Sequence, residues 1–366
     1  VMPVLTARKN KLLAAATKAV SAQCSQFELI EGKGHVVAPH KVEVAGTVYE
    51  AEYIVIGTGS SPFIPEGIDY DGKTIITSNE VLELQKLPKD IVIYGDGAIG
   101  LEMACFFASS GVEVTLLSRG DKLLSKSHPL IQTAIAKEME RLGVTHLKNH
   151  NVTNAHASDD GVDITFEDGT SDHFQQMLVA TGRQPNTDVI ATDEIVVKRG
   201  IETDEWFETS LAKHYAVGDC NGKVQLAHAA RAEALNVTMQ ILGKNPEKLN
   251  LDHVVKFIHT LPMSYATVGE NRFSLENNKR TFNESVIKLN HFTGSAFHHS
   301  GGGSMIVYAD EEGVILGAEI LAPDAEELIA PVAMALAGGM KASEASKTIM
   351  AHPSFSEALE RAYFRL

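Results

Sequence analysis

The chain has 366 residues, 44% hydrophobic and 22% charged, with a formal net charge of −15. This is a globular composition with room for two or three domains, and the acidic balance excludes a nucleic-acid partner, which requires a basic footprint. No apolar run approaches the roughly 20 residues that span a bilayer, and the first 22 residues lack a signal peptide's apolar block and cleavage site; no membrane partner and a cytoplasmic location are therefore expected.

Taken in order, residues 3–23 read as a helix, Lys/Arg-dotted and amphipathic. Strand-like pieces follow at 27–31, 35–37 and 41–44, then a buried-strand pattern at 52–56 that ends in Gly57-Thr58-Gly59-Ser60-Ser61-Pro62. A second region opens with the apolar strand 90–94, a Gly-rich turn, helical periodicity over 100–110 and a strand at 112–117. That is the size and order of a βαβ unit, roughly 30 residues. The segment 177–182 closes the region and echoes 53–59. Ala216-Val217-Gly218-Asp219 follows another strand and precedes a long helix from about Leu226. From His253 the texture becomes β-rich (285–290, 304–309 and 313–321), then helical over 325–338 and 342–349, as in a separate α+β domain.

Cys24, Cys105 and Cys220 lie far apart and form no CxxC or CxxxxC pair. They suggest neither a disulfide framework nor a metal site, and each reads as a small core residue.

Gly95-Asp96-Gly97-Ala98-Ile99-Gly100 is a GxGxxG lying between an apolar strand and a helix. The first Gly permits the tight turn, the second admits a pyrophosphate to the backbone, and the third lets helix pack on strand. The helix start supplies free N–H groups and partial positive charge. These residues, Ile99 included, are expected to bind a nicotinamide dinucleotide. At the end of the next strand an acidic residue favours NAD and an Arg favours NADP. Here Ser118-Arg119 is followed by Lys122 and Lys126, and Asp121 lies beyond the strand end. Arg119 reads either as an NADP(H) preference or weak discrimination, or as part of a solvated basic turn, so NAD or NADP stays open.

Five motifs in order resemble the class I pyridine nucleotide–disulfide oxidoreductases. They are the Ile56 to Pro62 segment, the GxGxxG with Glu102 two residues on, Ala180-Thr181-Gly182-Arg183-Gln184-Pro185-Asn186, Ala216-Val217-Gly218-Asp219, and His352-Pro353-Ser354-Phe355-Ser356-Glu357. The resemblance implies an α/β fold: an interrupted Rossmann-like FAD domain (1–86 and 183–252), an inserted NAD(P)-binding Rossmann-like domain (87–182) and an α+β dimerisation domain (253–366). It implies FAD as a second cofactor and a homodimer. Gly59 and Gly182 would lie at the domain crossings, and Asp219 beside Gly218 would hold a flavin ribityl hydroxyl. The helix start with Ala227 and His228 would face the FAD pyrophosphate, and Glu102 would lie near the nicotinamide–flavin contact. His352 would enter the partner subunit's active site as acid/base, with Glu357 fixing its ring. The substrate would be a small-molecule or lipoyl-type disulfide. Ser356-Glu357-Ala358 is more similar to dihydrolipoamide dehydrogenases than to glutathione reductases, whereas Arg119 leans toward NADPH users. The stretch Leu261 to Gly269 is one residue longer than its family counterpart.

The family's opening strand, its own GxGxxG and a CxxxxC helix do not occur in this sequence. The chain, opening at Val1, is accordingly expected to be a partial reading frame or processed fragment, inactive toward dithiols as written, with apolar surface exposed. A flavin-dependent transhydrogenase or other NAD(P)H oxidoreductase without a redox disulfide, and a non-catalytic nucleotide-binding or dimerising remnant, remain as alternatives.

Overall fold

The computed structural model describes residues 2–293 and 303–366. Val1, the start of the expected leading segment, and residues 294–302 of the expected dimerisation domain lie outside the described residues. Packing divides the chain into two compact units.

The first unit comprises the residues up to Phe63, 82–86 and 182–251. The leading helix, Met2–Cys24, is Ala-rich and forms on propensity, but it does not bury an apolar stripe. Only Met2 is buried, while Val4, Leu5, Leu12, Leu13 and Val20 are exposed. Lys9 ties it to the Leu82 carbonyl (2.7 Å) and to Glu83 (2.6 Å). Residues 27–31, expected as a strand, are irregular. They carry Phe27 and Leu29 at alternate positions but pair with no strand among the described residues, so both side chains stay exposed. Gly34–Ala38, Lys41–Val44 and Thr47–Glu50 form an antiparallel meander. Ile54–Ile56 pairs in parallel with His214–Ala216, and Ser60–Pro62 runs antiparallel to Arg183–Pro185. The last two pairings bring sequence segments more than a hundred residues apart into register. They rest on a core that includes Val36, Ile54, Ile56, Ile201 and Ala216.

The second unit comprises 64–81, 87–181 and 252–366. Its parallel sheet has the order Ile75–Ile76, Gln176–Val179, Asp90–Tyr94, Glu113–Ser118, Thr145–Lys148. The central strands are near-continuous Ile, Val and Leu, as parallel strands covered on both faces must be. Helices Ala98–Ser109 and Pro129–Arg141 complete the expected βαβ pattern and extend it. An antiparallel trio, Val152–Ala157, Val162–Phe166 and Ser171–Phe174, packs Val152, Ala155, Ile164 and Phe166 into the same core.

In the C-terminal part, five antiparallel strands run in the order Lys256–Ile258, Ser264–Gly269, Ile315–Ala322, Ser304–Ala309, Asn283–Lys288. The helix expected over 325–338 divides into Ala325–Leu328 and Ala330–Ala337, because Pro331 has no N–H to continue the ladder and starts a new helix instead. The helix expected over 342–349 ends at Ala345, and Glu357–Phe364 adds a last one.

The central strand Ile315–Ala322 is buried along its whole length, and Glu319 sits in the middle of it with no exposed surface. Its Oε1 accepts from the Tyr265 hydroxyl (2.8 Å) and from the His128 backbone N–H (3.0 Å); its Oε2 accepts from the Tyr308 hydroxyl (2.6 Å). Burial pushes the Glu319 carboxyl up, against the pull of these donors. His128 caps the helix Pro129–Arg141 by accepting from Leu130 N–H. One carboxylate thus joins two strands of the C-terminal sheet to the start of a helix beside the parallel sheet. Glu319→Ala strands three buried donors, each worth about 1–3 kcal/mol when unpaired. Urea denaturation is expected to show a loss of about 3 kcal/mol or more, against a much smaller loss for Tyr265→Phe. Equal losses would contradict the shared-acceptor account.

Candidate functional site

The strand Asp90–Tyr94 delivers the chain into Gly95 at φ 120°, which only Gly adopts without strain, and a Cβ there would lie 2.3 Å from the Ala180 carbonyl oxygen. A Cβ on Gly100 would lie 1.8 Å from the Gly95 carbonyl oxygen. The helix Ala98–Ser109 therefore starts hard against the turn, with Ile99 half-buried beside it. Gly97 is the N-cap. No side chain caps this helix, and space is open where a Gly97 Cβ would stand. The first-turn N–H groups are thus left for an anion, as a pyrophosphate cradle requires.

Ser118, in the position of the NAD-selecting acid, is fully buried. Its hydroxyl donates to the Gly120 carbonyl (2.8 Å) and lies 2.7 Å from His146 Nε2. Burial, then Lys148, holds the His146 imidazole low. Arg119 follows on the exposed turn. The sequence singled out Arg119 but not the Ser118–His146 pair, because His146 lies on a strand 28 residues away and only the parallel register joins them. Glu102, half-buried on the helix, accepts the His259 backbone N–H on Oε1 at 2.9 Å.

In the first unit a second constellation forms. Gly59 (φ 69°) and Gly182 (φ 133°) both have open space beside them. The paired strands Ser60–Pro62 and Arg183–Pro185 bring Ser60 and Arg183 to Asp219. The Ser60 hydroxyl donates to Asp219 Oδ2 (2.5 Å) and accepts from Arg183 Nε (2.7 Å); Arg183 Nη2 donates to the Ser60 carbonyl (2.6 Å). Arg183 Nε lies 3.9 Å from Asp219 Oδ2. Beneath this, the fully buried Glu233 accepts the Gly218 N–H (2.7 Å) and the Asn221 amide (2.8 Å), which fixes the turn that carries Asp219. Burial pushes the Glu233 carboxyl up. Ala227 and His228 sit exposed in the first turn of helix Ala227–Ile241, which also lacks a side-chain cap. Open glycines, a carboxylate for a hydroxyl and an uncapped helix start fit a flavin dinucleotide, as the Gly95 turn fits a nicotinamide dinucleotide. Ser60, Arg183 and Glu233 were missed as site residues, although Ser60 and Arg183 stand inside recognised motifs.

His352 Nδ1 lies 2.8 Å from Glu357 Oε1, while Glu357 Oε2 accepts the Ser354 backbone N–H at 3.0 Å. The Ser354 hydroxyl closes the loop onto the Ala351 carbonyl (2.6 Å). Glu357 opens the helix Glu357–Phe364, and the five-residue spacing folds the loop back on it. The His352 side chain is 71% exposed and its Glu357 partner 25%. The Ser354 N–H and then His352 hold the Glu357 carboxyl below the usual carboxylate range. Among the cysteines, Cys105 and Cys220 are buried core residues as read, whereas Cys24 is only half-buried. Among the described residues no three His, Cys, Asp or Glu side chains converge as metal ligands, and no helix is long and apolar enough to cross a membrane.

A lowered carboxyl contributes above its ordinary pKa and loses its contribution as pH falls through the folded value. The Ser354 amide resonance, whose acceptor is Glu357, is therefore expected to keep its hydrogen-bonded position on acidification until below the usual carboxylate range, and then to move. Movement of the amide at or above that range would show that Glu357 is not its acceptor.

Residues 8–234 match the sequence profile of the pyridine nucleotide-disulphide oxidoreductases, and residues 255–363 match that of their dimerisation domain. Dihydrolipoyl dehydrogenase of Chlorobaculum tepidum is 32% identical over 86% of this chain and 68% of its own length. Dihydrolipoyl dehydrogenase 2 of Haloarcula marismortui is 29% identical over 99% of this chain and 80% of its own. In fold, the crystal structure of LpdA from Mycobacterium tuberculosis superposes with a TM-score of 0.91 at 24% identity, covering 100% of this chain and 83% of that one. The HOCl-induced flavoprotein disulfide reductase RclA from Escherichia coli gives 0.89 at 24%, covering 98% and 85%. The chain belongs to the pyridine nucleotide–disulphide oxidoreductase family, enzymes that use FAD and NAD(P), and it carries that family's dimerisation domain.

Proposed function

We propose that this chain serves dihydrolipoyl dehydrogenase activity in an enzyme that also supplies the redox-active cysteine pair this sequence does not contain: a cytoplasmic homodimer in which His352 is the acid/base toward a lipoyl-type dithiol and Glu357 orients it. The observation that carries the reading is the His352–Glu357 hydrogen bond at 2.8 Å, with the second carboxylate oxygen held by Ser354 N–H. In this reading the Nδ1 proton is on the carboxylate side and Nε2 is left to accept a proton. A thiol gives up electrons readily only as the thiolate, so a base at Nε2 starts the reaction, and the carboxylate stabilises the imidazolium that results. Oxidation of a dithiol to a disulfide releases two protons and two electrons, the electrons leaving as hydride on the nicotinamide. FAD, when bound, would supply the two-electron acceptor between the nicotinamide and the redox-active cysteine pair that exchanges with the dithiol. Asp219, with the Gly218 turn braced by Glu233, would hold its ribityl chain. The starts of helices Ala227–Ile241 and Ala98–Ser109 would hold the pyrophosphates of FAD and NAD(P) respectively. In the FAD-loaded complete enzyme, carrying the redox-active cysteine pair, His352→Gln is expected to lower the dithiol half-reaction by about 10²-fold or more while nicotinamide-driven flavin reduction stays within a few-fold. Stopped-flow traces with both halves unchanged would remove His352 from the reaction.

Nucleotide choice follows from the second strand end. With Ser118 turned inward to Gly120 and His146, no carboxylate there accepts a ribose hydroxyl, and the exposed Arg119 favours a 2′-phosphate. Arg119→Glu is expected to lower the NADPH-over-NADH affinity ratio at least tenfold, about 1.4 kcal/mol, measured by nucleotide titration. An unchanged ratio would leave Arg119 as a solvated turn residue.

A further inference from the structure

We infer that a cavity between the strand Asn283–Lys288, the turn at His291 and the C-terminal helix Glu357–Phe364 binds a small phosphorylated anion, at a place separate from both dinucleotide turns and from His352. The cavity has a volume of about 290 Å³, and its polar side chains are those of Lys288, His291, Arg361 and Arg365; no carboxylate lines it. In a chain with a formal charge of −15, such a concentration of cations around one cavity is unusual.

The helix arranges it. Arg361 and Arg365 stand four residues apart and so share one helix face. The Arg361 guanidinium lies 4.7 Å from the centre of the Phe292 ring, and Arg365 Nη1 reaches the Val286 carbonyl at 3.4 Å. Among the described residues each is held by one such contact, which leaves most of its N–H groups for a ligand. Among the described residues neither Arg, nor Lys288, nor His291 has an acidic partner within 4 Å. Glu357, one turn before Arg361, attracts it electrostatically, but its oxygens are hydrogen-bonded to His352 and Ser354 and it does not line the cavity.

Basic residues near a helix C-terminus also complement its dipole, but that end carries only about half an elementary charge. Three charged side chains and an imidazole exceed it several-fold. Planar guanidinium forks match phosphate oxygens bidentately. A cavity at the low end of ligand-site volumes, roughly 300–1,000 Å³, suits a phosphate or diphosphate group rather than a whole dinucleotide.

The test is calorimetric titration of the full chain with pyrophosphate at fixed ionic strength. Wild type, Arg361→Gln/Arg365→Gln and Lys288→Gln/His291→Gln are compared with Arg119→Gln/Lys122→Gln at the dinucleotide turn, all checked for unchanged circular dichroism. The proposal expects a saturable site that weakens at least tenfold in each of the first two double variants and persists in the third. Unchanged affinity in both C-terminal doubles, or loss confined to the Arg119 double, overturns it. So does an acidic peptide, tested as polyglutamate, that binds more tightly than pyrophosphate and displaces it.

Discussion

An acidic residue in the middle of a fully buried central strand is the constraint around which the second unit is organised. Glu319 can occupy that position because three donors are turned toward it: two tyrosine hydroxyls from flanking strands and the N–H of His128. An unpaired carboxylate there would cost several kcal/mol. The sheet is therefore not free to slide against the layer that begins with helix Pro129–Arg141, because sliding would break one of the three bonds. Hydrophobic packing, which is non-directional, holds the layers together; the carboxylate sets their register.

The same division of labour recurs at the candidate site. Glu233 is buried beneath Asp219 and spends one oxygen on the Gly218 N–H and the Asn221 amide, while its Oε1 has no partner among the described residues. Glu357 spends one oxygen on Ser354 and the other on His352. In each case a carboxylate that would not touch a substrate fixes the loop that presents the residue in front of it. Preorganisation by backbone hydrogen bonds of this kind lets a functional side chain sit on a loop without the loop's looseness.

Much of this was legible in the sequence, and the reasons are local. Asp90 to Leu117 declares itself because an unbroken apolar strand, three glycines at fixed spacing and a helical pattern agree with one another. The His352 and Glu357 pair is legible because its partners lie five residues apart. Arg183 and Ser60 stood in plain view inside their motifs, yet their meeting at Asp219 depends on the pairing of Ser60–Pro62 with Arg183–Pro185, a contact across 123 residues. Ser118 and His146 meet through a parallel crossover in the same way. Residues 27–31 misled because alternation reports a strand only where a neighbouring strand exists to complete it, and the leading helix misled because an apolar arc does not guarantee a surface to pack on. Pro331 was visible, but in a run of Ala and Leu its missing N–H was outweighed until the helix was seen to restart there.

The Ser60–Asp219–Arg183 cluster has one more implication. Asp219 is not an idle acceptor: Oδ2 already takes the Ser60 hydroxyl, and Arg183 braces that hydroxyl from the other side. A polyol reaching this carboxylate either settles on the remaining oxygen or evicts Ser60, trading one O–H···O bond for another of the same kind. The trade is close to thermoneutral, so it adds little grip. What it adds is discrimination, because only a hydroxyl presented at the angle that Arg183 and Ser60 leave open can enter without stranding one of them. The cluster is thus better suited to ruling on the pose of a ligand than to holding it, and tight retention must come from the rest of the ligand's contacts.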